Sequence, residues 1–333
     1  MGAELVTLAE VRAAARRIGG VIVRTPLVPL PAAGPASVLV KPESLQPTGA
    51  FKLRGAYNAI SMLPDDAKGR GVVAHSSGNH GFAVAYAAAL LGVRAAIVVP
   101  DNAPAIKTDA IQAAGAELIR VRPALAARVE AAARIAHGRG YTEIPPFDDR
   151  RVIAGQGTIG LEIAADCAPP GPAAVLVPVS GGGLISGIAV AIKALRPQTR
   201  IIGVEPELAA DALESFRTGT RVAWPASEVA RTAADALRVE QLGELTFRHI
   251  RALVSDFVTV TEQEMVAAVR LLALRARLVA EPGGAAAVAA SLFRGARELG
   301  AGDGPLVAVL SGGNIDPALL SRILASDTES YTG

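Results

Sequence analysis

The sequence predicts an α/β protein made of two doubly wound parallel-sheet lobes, and three observations carry that prediction. Apolar stretches of strand length alternate with alanine-rich stretches of helical length, often across a glycine-containing turn. Such alternation marks parallel strands joined by right-handed helical crossovers. The chain is 333 residues long without an abrupt shift of composition, which favours interdigitated lobes over two separate beads. Hydrophobic residues make up 51% of it, enough for a large core, and the formal net charge is +2.

The elements follow in order. Thr7-Leu8-Ala9-Glu10 is a capping-box pattern, because the Thr hydroxyl and the Glu carboxylate can satisfy each other's free amides; its helix ends at Gly19-Gly20. A short strand at 37–41 and a turn at Gln46-Pro47-Thr48-Gly49 lead to a helix over 51–62, closed by Pro64-Asp65-Asp66. Strand–helix pairs come next at 71–75 with 81–91, 94–99 with 105–114, and 117–120 with 124–137. Further on, strand 174–179 enters helix 185–195, a strand lies at 200–204, and strand 306–310 precedes Ser311-Gly312-Gly313-Asn314.

Composition excludes several classes. Near-neutral charge and few aromatics leave neither a basic stripe nor a stacking platform, so nucleic acid is not an expected partner. The most apolar run, 82–100, is interrupted by Gly92 and Arg94 and falls short of a membrane span. No basic-then-apolar leader opens the chain, and Val6 stands where a myristoylation motif wants Ser or Thr, so a cytoplasmic location is expected. Cys167 is the only cysteine, which excludes an intramolecular disulfide and reads as a buried inert thiol. His75, His80, His137 and His249 share no metal-ligand spacing.

Two segments carry chemistry. Ser180-Gly181-Gly182-Gly183-Leu184 lies between a strand and a helix, where free amides and the positive helix end favour a bound phosphate. Ile185 and Ser186 replace the Lys-Ser/Thr of a triphosphate loop. A dinucleotide fold remains a rival, since Gly181 and Gly183 fit its first glycines and Glu205 lies roughly 20 residues on. In Pro47-Thr48-Gly49-Ala50-Phe51-Lys52-Leu53-Arg54-Gly55, one lysine stands between Phe and Leu; such flanks desolvate an amine and free it for Schiff-base chemistry. The only other lysines are Lys41, Lys68, Lys107 and Lys193 among 33 basic residues, so arginine is the generic cation here. A snorkelling lysine at a helix edge is the alternative.

The lysine segment resembles the cofactor motif of the fold-type II pyridoxal-phosphate enzymes (tryptophan synthase β-like), specifically the threonine/serine dehydratase and serine racemase family, with Ala50 where Ser is common. His75-Ser76-Ser77-Gly78-Asn79-His80-Gly81 is similar to that family's substrate loop, Val152 to Thr158 to a further block, and Ser180 to Leu184 to its phosphate loop. Glu281-Pro282 and Leu310 to Asn314 complete the order. The resemblance implies a large cofactor-binding lobe of residues 1–70 and 148–333 and a small lobe of 71–147, in a homodimer or homotetramer.

It also implies roles. Lys52 would carry pyridoxal phosphate and then, freed, act as the base on Cα; Phe51 would pack beside the ring. Gly181, Gly182, Gly183 and Leu184 would hold the phosphate, Asn79 the ring hydroxyl, and Ser311 the ring nitrogen. Ser76, Ser77, Gly78, Asn79 and His80 would bind the substrate carboxylate. A neutral hydroxyl at the ring nitrogen moderates the electron sink and suits β-elimination, so the expected reaction turns L-threonine or L-serine into a 2-oxo acid and ammonia. Ser77 matches the second base of serine racemases, whereas Phe147 matches dehydratases; racemisation, 3-hydroxyaspartate and D-serine therefore stay open, as does a β-replacement enzyme of the cysteine synthase type. A nicotinamide-dependent oxidoreductase is the remoter alternative. Glu205, Ala209 and Asp211 have the spacing at which racemase relatives hold Mg²⁺ or Ca²⁺. Too few residues follow Ser311 for a feedback domain.

Overall fold

Runs of Val, Ile, Leu and Ala with no polar alternation become strands buried on both faces, as parallel sheets covered by helices require. The computed structural model describes residues 4–30, 37–76, 78–103, 105–295, 298–299, 302 and 304–326. Its strands are β1 (Val28–Pro29), β2 (Val38–Pro42), β3 (Val72–Ala74), β4 (Ala95–Pro100), β5 (Glu117–Val121), β6 (Thr142–Glu143), β7 (Ala174–Pro178), β8 (Arg200–Pro206), β9 (Asp256–Val260) and β10 (Leu306–Leu310). A 6-stranded sheet has the order β1-β2-β10-β7-β8-β9, and a 4-stranded sheet the order β5-β4-β3-β6. Among the described strands every ladder is parallel except β1 with β2, as the expected parallel-sheet architecture has it. Pro29, which has no amide to donate, sits in that antiparallel edge strand.

Side chains of the larger sheet alternate between two cores. Leu176, Leu306, Ala308 and Leu310 pack with the helix Pro282–Phe293 on one face. Val175, Val177, Val307 and Val309 pack with Ile185 and Ile188 of the helix Gly183–Leu195 on the other. The smaller sheet, whose strands all fall between residues 72 and 143, has its own core around Val72, Ala74, Ile97 and Val99.

Two features of this frame place the functional residues. β2 runs parallel to β10 with Pro42 opposite Leu310, so the chain leaving β2 toward Lys52 stays beside the chain leaving β10 as Ser311-Gly312. The bridge Ala50↔Gly312 and the bond from Phe51 N to Ser311 O (3.0 Å) continue the pairing past the strand ends. The second feature is a stack of three helices, Lys52–Ser61, Arg150–Asp166 and Gly183–Leu195, in backbone contact. A Cβ at Gly155 would lie 2.5 Å from Arg54 O, and one at Gly187 would lie 2.3 Å from Ile153 O and 2.5 Å from Gly157 N.

Helix boundaries also correct the sequence reading. The helix expected from 185 begins at Gly183, with Gly182 as its cap at φ +89°; the helix expected from 81 begins at Asn79. Asn79 and His80 therefore sit in a first helical turn and not in a loop. The expected N-terminal capping box is present, and Val6 N donates to His249 Nε2 (2.8 Å), pinning the chain start to the helix Glu244–Leu253.

The helix stack yields a stability prediction. Gly187→Ala pushes a methyl into the Ile153 carbonyl and is expected to destabilise the protein by about 1–3 kcal/mol in urea unfolding. Gly20→Ala, where an added Cβ meets nothing within 4 Å, is the comparison and is expected to be near neutral.

Candidate active site

Lys52 opens the helix Lys52–Ser61, and its cap residue Phe51 supplies no side-chain hydrogen bond. The Lys52 amine donates to Pro146 O at 2.8 Å and lies 5.0 Å from the centre of the Phe51 ring. Lys52 is partly buried as a whole, but its amine is desolvated without a carboxylate partner, and burial pushes its pKa down to about 8. Phe147, the next residue after the lysine's acceptor, lies across the glycine run. A Cβ at Gly181 would come 2.2 Å from the Phe147 ring, and one at Gly183 would come 2.9 Å from Phe147 Cα.

The glycine run is held from below by the start of the helix Glu244–Leu253. Thr246 Oγ1 donates to Gly181 O (2.7 Å), and Asp148 accepts from the amides of Glu244, Leu245 and Thr246 at 2.9–3.1 Å. The first amides of helix Gly183–Leu195 have no acceptor within their own helix and lie at its positive end, the chemistry that an anion site requires. The lysine and this cradle are thus linked through the single dipeptide Pro146-Phe147.

On the other side of Lys52 lies a polar knot. Asn79 Nδ2 donates to Glu281 Oε1 (2.6 Å), while Asn314 Nδ2 donates to Asn79 Oδ1 (2.7 Å) and to Thr48 O (2.9 Å). A Cβ at Gly312 would meet Glu281 Oε1 at 2.2 Å and Asn79 Nδ2 at 3.2 Å, so both side chains cross directly over the chain that follows Ser311. Ser311 is buried, and its amide donates to Gly284 O. Ser76 Oγ accepts from Gly78 N (3.3 Å), and Gly78 caps helix Asn79–Leu90 with no side chain of its own, leaving that helix start open to a carboxylate. Ser77 lies outside the described residues.

His80 Nε2 bonds Ile144 O at 2.8 Å, which fixes the proton on Nε2 because a carbonyl only accepts. Burial first, then the Lys52 charge, pushes its pKa down to about 3, so the ring stays neutral. A cleft of about 490 Å³ opens beside the knot, lined by Gly78, Asn79, Glu281 and Asn314 and faced by Asp235 and Arg238.

Glu205 and Asp211 come together as a buried carboxylate pair at the end of β8. Glu205 accepts from Ala212 N (3.1 Å) and Leu213 N (2.7 Å), and burial followed by repulsion from Asp211 raises its pKa well above the carboxylate range. Asp211 is pushed up to about 7 by burial, and its Oδ2 is buried with no partner among the described residues. Ala209 is buried between them in sequence. No group of three or more His, Cys, Asp or Glu gathers among the described residues.

A family model described as "Pyridoxal-phosphate dependent enzyme" matches residues 18–312. The chain belongs to the pyridoxal-phosphate dependent enzymes. Within that family it is 41% identical over 325 residues to the L-threonine ammonia-lyase of Thermotoga maritima, covering 96% of this chain and 78% of the relative. It is 39% identical over 297 residues to the L-threo-3-hydroxyaspartate ammonia-lyase of Saccharomyces cerevisiae, covering 89% of each. The structure of maize serine racemase superposes with a TM-score of 0.90 at 35% identity, covering 96% of this chain and 97% of that one. The fold is accordingly that of the fold-type II enzymes of this family.

The residues fit the cofactor by their chemistry: a desolvated lysine amine, a helix start cleared of side chains by glycine, and a buried serine whose carbonyl accepts from Phe51 N beside the lysine. Sequence reading missed Pro146, Thr246, Asp148 and Asn314 as site residues. Asn314 was in a recognised motif, but Thr246 carries no local signal, because its role comes from a packing contact made 65 residues away.

The lysine yields a pH prediction. Only the neutral amine attacks the cofactor's aldehyde, and its fraction grows as pH rises through the lysine pKa. The rate at which cofactor-free protein develops the visible band on adding pyridoxal phosphate is expected to rise through pH about 8 and level above it. Stopped-flow absorbance checks this; a rate still climbing steeply near pH 10, as for an ordinary lysine, contradicts it.

Proposed function

We propose that this chain is a carbon–nitrogen lyase that converts L-threonine or L-serine into the corresponding 2-oxo acid and ammonia. The observation that carries the reading is the Lys52 amine, held on Pro146 O, desolvated and without a carboxylate partner among the described residues, its pKa pushed down to about 8. Such an amine serves both as the anchor of a carbonyl cofactor and, once released, as a base for a Cα proton near neutral pH.

Bound pyridoxal phosphate supplies an electron sink for the pair left when the Cα–H bond breaks. The roles read here for the chain's own residues are those the family resemblance implies, and the helix starts and the Lys52 contact support them. The amides of Gly181, Gly182, Gly183 and Leu184 hold the phosphate, Phe51 lies beside the ring, and the Ser311 hydroxyl meets the ring nitrogen without protonating it. The open start of helix Asn79–Leu90, with Ser76, Gly78, Asn79 and His80, takes the substrate carboxylate. Lys52 removes the Cα proton, the β-hydroxyl departs as water, and hydrolysis of the released enamine returns that water and frees ammonia.

Charge supports a neutral side chain on the substrate. Asp235, Glu281 and Asp316 line the cleft against Arg238 alone, so a second carboxylate meets net repulsion there. The T. maritima relative bears the matching name. A second reading, serine racemisation, rests on Ser77 in the sequence and on the likeness to the maize racemase. We also read Glu205, Asp211 and the Ala209 carbonyl as a site for Mg²⁺ or Ca²⁺. The orphaned Asp211 Oδ2 and the crowding of two buried carboxylates are what a hard cation relieves.

Two measurements test this. Incubation with L-threonine, L-serine, L-threo-3-hydroxyaspartate and D-serine is expected to give 2-oxo acid chiefly from the first two, and Lys52→Ala is expected to lose at least about 10²-fold in rate. Oxo acid from none of them sinks the lyase assignment; accumulation of the opposite serine enantiomer favours the racemase reading. Separately, Mg²⁺ or Ca²⁺ is expected to raise the melting temperature of the wild type, by about 2.7 kcal/mol of stability at a hundredfold excess over Kd. Asp211→Asn is expected to abolish that rise, and a rise that persists in the variant refutes the cation site.

A further inference from the structure

Lys52 stands at the start of a helix with no side-chain cap, the part of a helix most free to fray or turn. An almost fully buried ion cluster two residues further on answers this. Arg54 Nε and Nη2 donate to the two oxygens of Glu43 at 2.7 and 2.8 Å. Its Nη1 and Nη2 donate to the two oxygens of Glu162 at 2.6 and 2.9 Å, and Nη1 also reaches Thr158 Oγ1 at 3.1 Å. Lys41 Nζ closes the cluster on Glu162 Oε2 (2.6 Å) and Thr25 O (2.5 Å). The side chains of Arg54, Glu43 and Lys41 have no solvent exposure, and Glu162 retains only 11%.

The charges balance, two cations against two carboxylates, and the fork of one guanidinium is clamped between two carboxylates from different elements. Burial opposes the charge on both Arg54 and Glu43, yet each holds the other ionised. Residues two apart on a helix point about 200° from each other. Arg54 is therefore anchored on the face away from Lys52, and turning the first helical turn to move the lysine would break the clamp.

We propose that Arg54 is a positioning residue for Lys52: clamped between Glu43 and Glu162, it fixes the direction in which the lysine amine leaves the helix. The proposal rests on the cofactor role of Lys52 and not on which hydroxy-amino acid is consumed.

The test uses the cofactor-loaded enzyme. Arg54→Lys keeps a cation but replaces the fork by a point charge; Glu43→Gln and Glu162→Gln keep shape and remove charge. For Arg54→Lys, kcat is expected to fall about 10²-fold with KM changed less than about threefold, as for a misplaced reacting group. The pH midpoint of the visible absorption band is expected to move with it, and the two Gln variants to show smaller changes in the same readouts. A folded Arg54→Lys protein that melts earlier but keeps the wild-type kcat and band midpoint would reduce the cluster to a fold staple and overturn the proposal. Should Arg54→Lys not fold, the Gln variants decide by the same criterion: unchanged kcat and midpoint in both overturn it. A wild type that forms the band but yields no oxo acid would sink the lyase reading alone, since the band midpoint still reports on Arg54.

Discussion

An amine that must act as nucleophile and base near neutral pH has to lose its water without gaining a carboxylate, since a carboxylate would raise its pKa again. Lys52 meets both demands through its surroundings. Among the described residues its polar partner is a neutral carbonyl, Pro146 O, and its flank is the Phe51 ring. Two residues along its helix, Arg54 is paired with Glu43 and Glu162, and Lys41 with Glu162, on the face away from the lysine. Much of the surrounding structure serves this constraint: β2 beside β10 brings the lysine to Ser311, and the helix stack brings Pro146-Phe147 and the glycine run to the lysine.

The elements legible in the sequence were those whose cause is local. Strands β3, β4, β7 and β10 followed from unbroken apolar runs and β2, β5 and β8 from mostly apolar ones, and the capping box at Thr7 was present as expected. The glycine run and the lysine segment stood out because their composition departs from what a core needs. β1, β6 and β9 gave less warning; β1 and β6 are only two residues long, and their pairing is decided by neighbours distant in sequence. The same reason hid Thr246 and Asp148, which support the glycine run from a helix almost 100 residues from Asp148. Arg54 lay in plain sight within a motif, but its partners Glu43 and Glu162 come from separate elements, and no spacing rule connects them.

Asn79 joins the two sheets' territories. It begins a helix that packs on the smaller sheet, yet its carboxamide is tied to Glu281 and Asn314, which flank the larger one. With Oδ1 accepting and one Nδ2 proton donated, a second Nδ2 proton remains for a negatively charged oxygen in the site. That agrees with a role at the cofactor's ring hydroxyl, and it makes the orientation of this amide a property of both halves of the molecule. His80, next in sequence, is held neutral by burial and by the lysine, so it does not exchange protons near neutral pH.

The helix stack has a consequence for how such a protein can change. Where Gly155, Gly157 and Gly187 bring backbone against backbone, there is no side chain to enlarge, shrink or exchange, and hence no gradual route by which that seam could be retuned. The cleft-lining residues Ala233, Asp235, Arg238, Asn314, Asp316 and Leu319 are instead exposed or half-buried, on short irregular segments and at helix starts. New substrates are therefore accessible by altering the rim while the lysine, its anchor and the phosphate cradle stay as one rigid block, which lets chemistry be inherited and selectivity be reinvented.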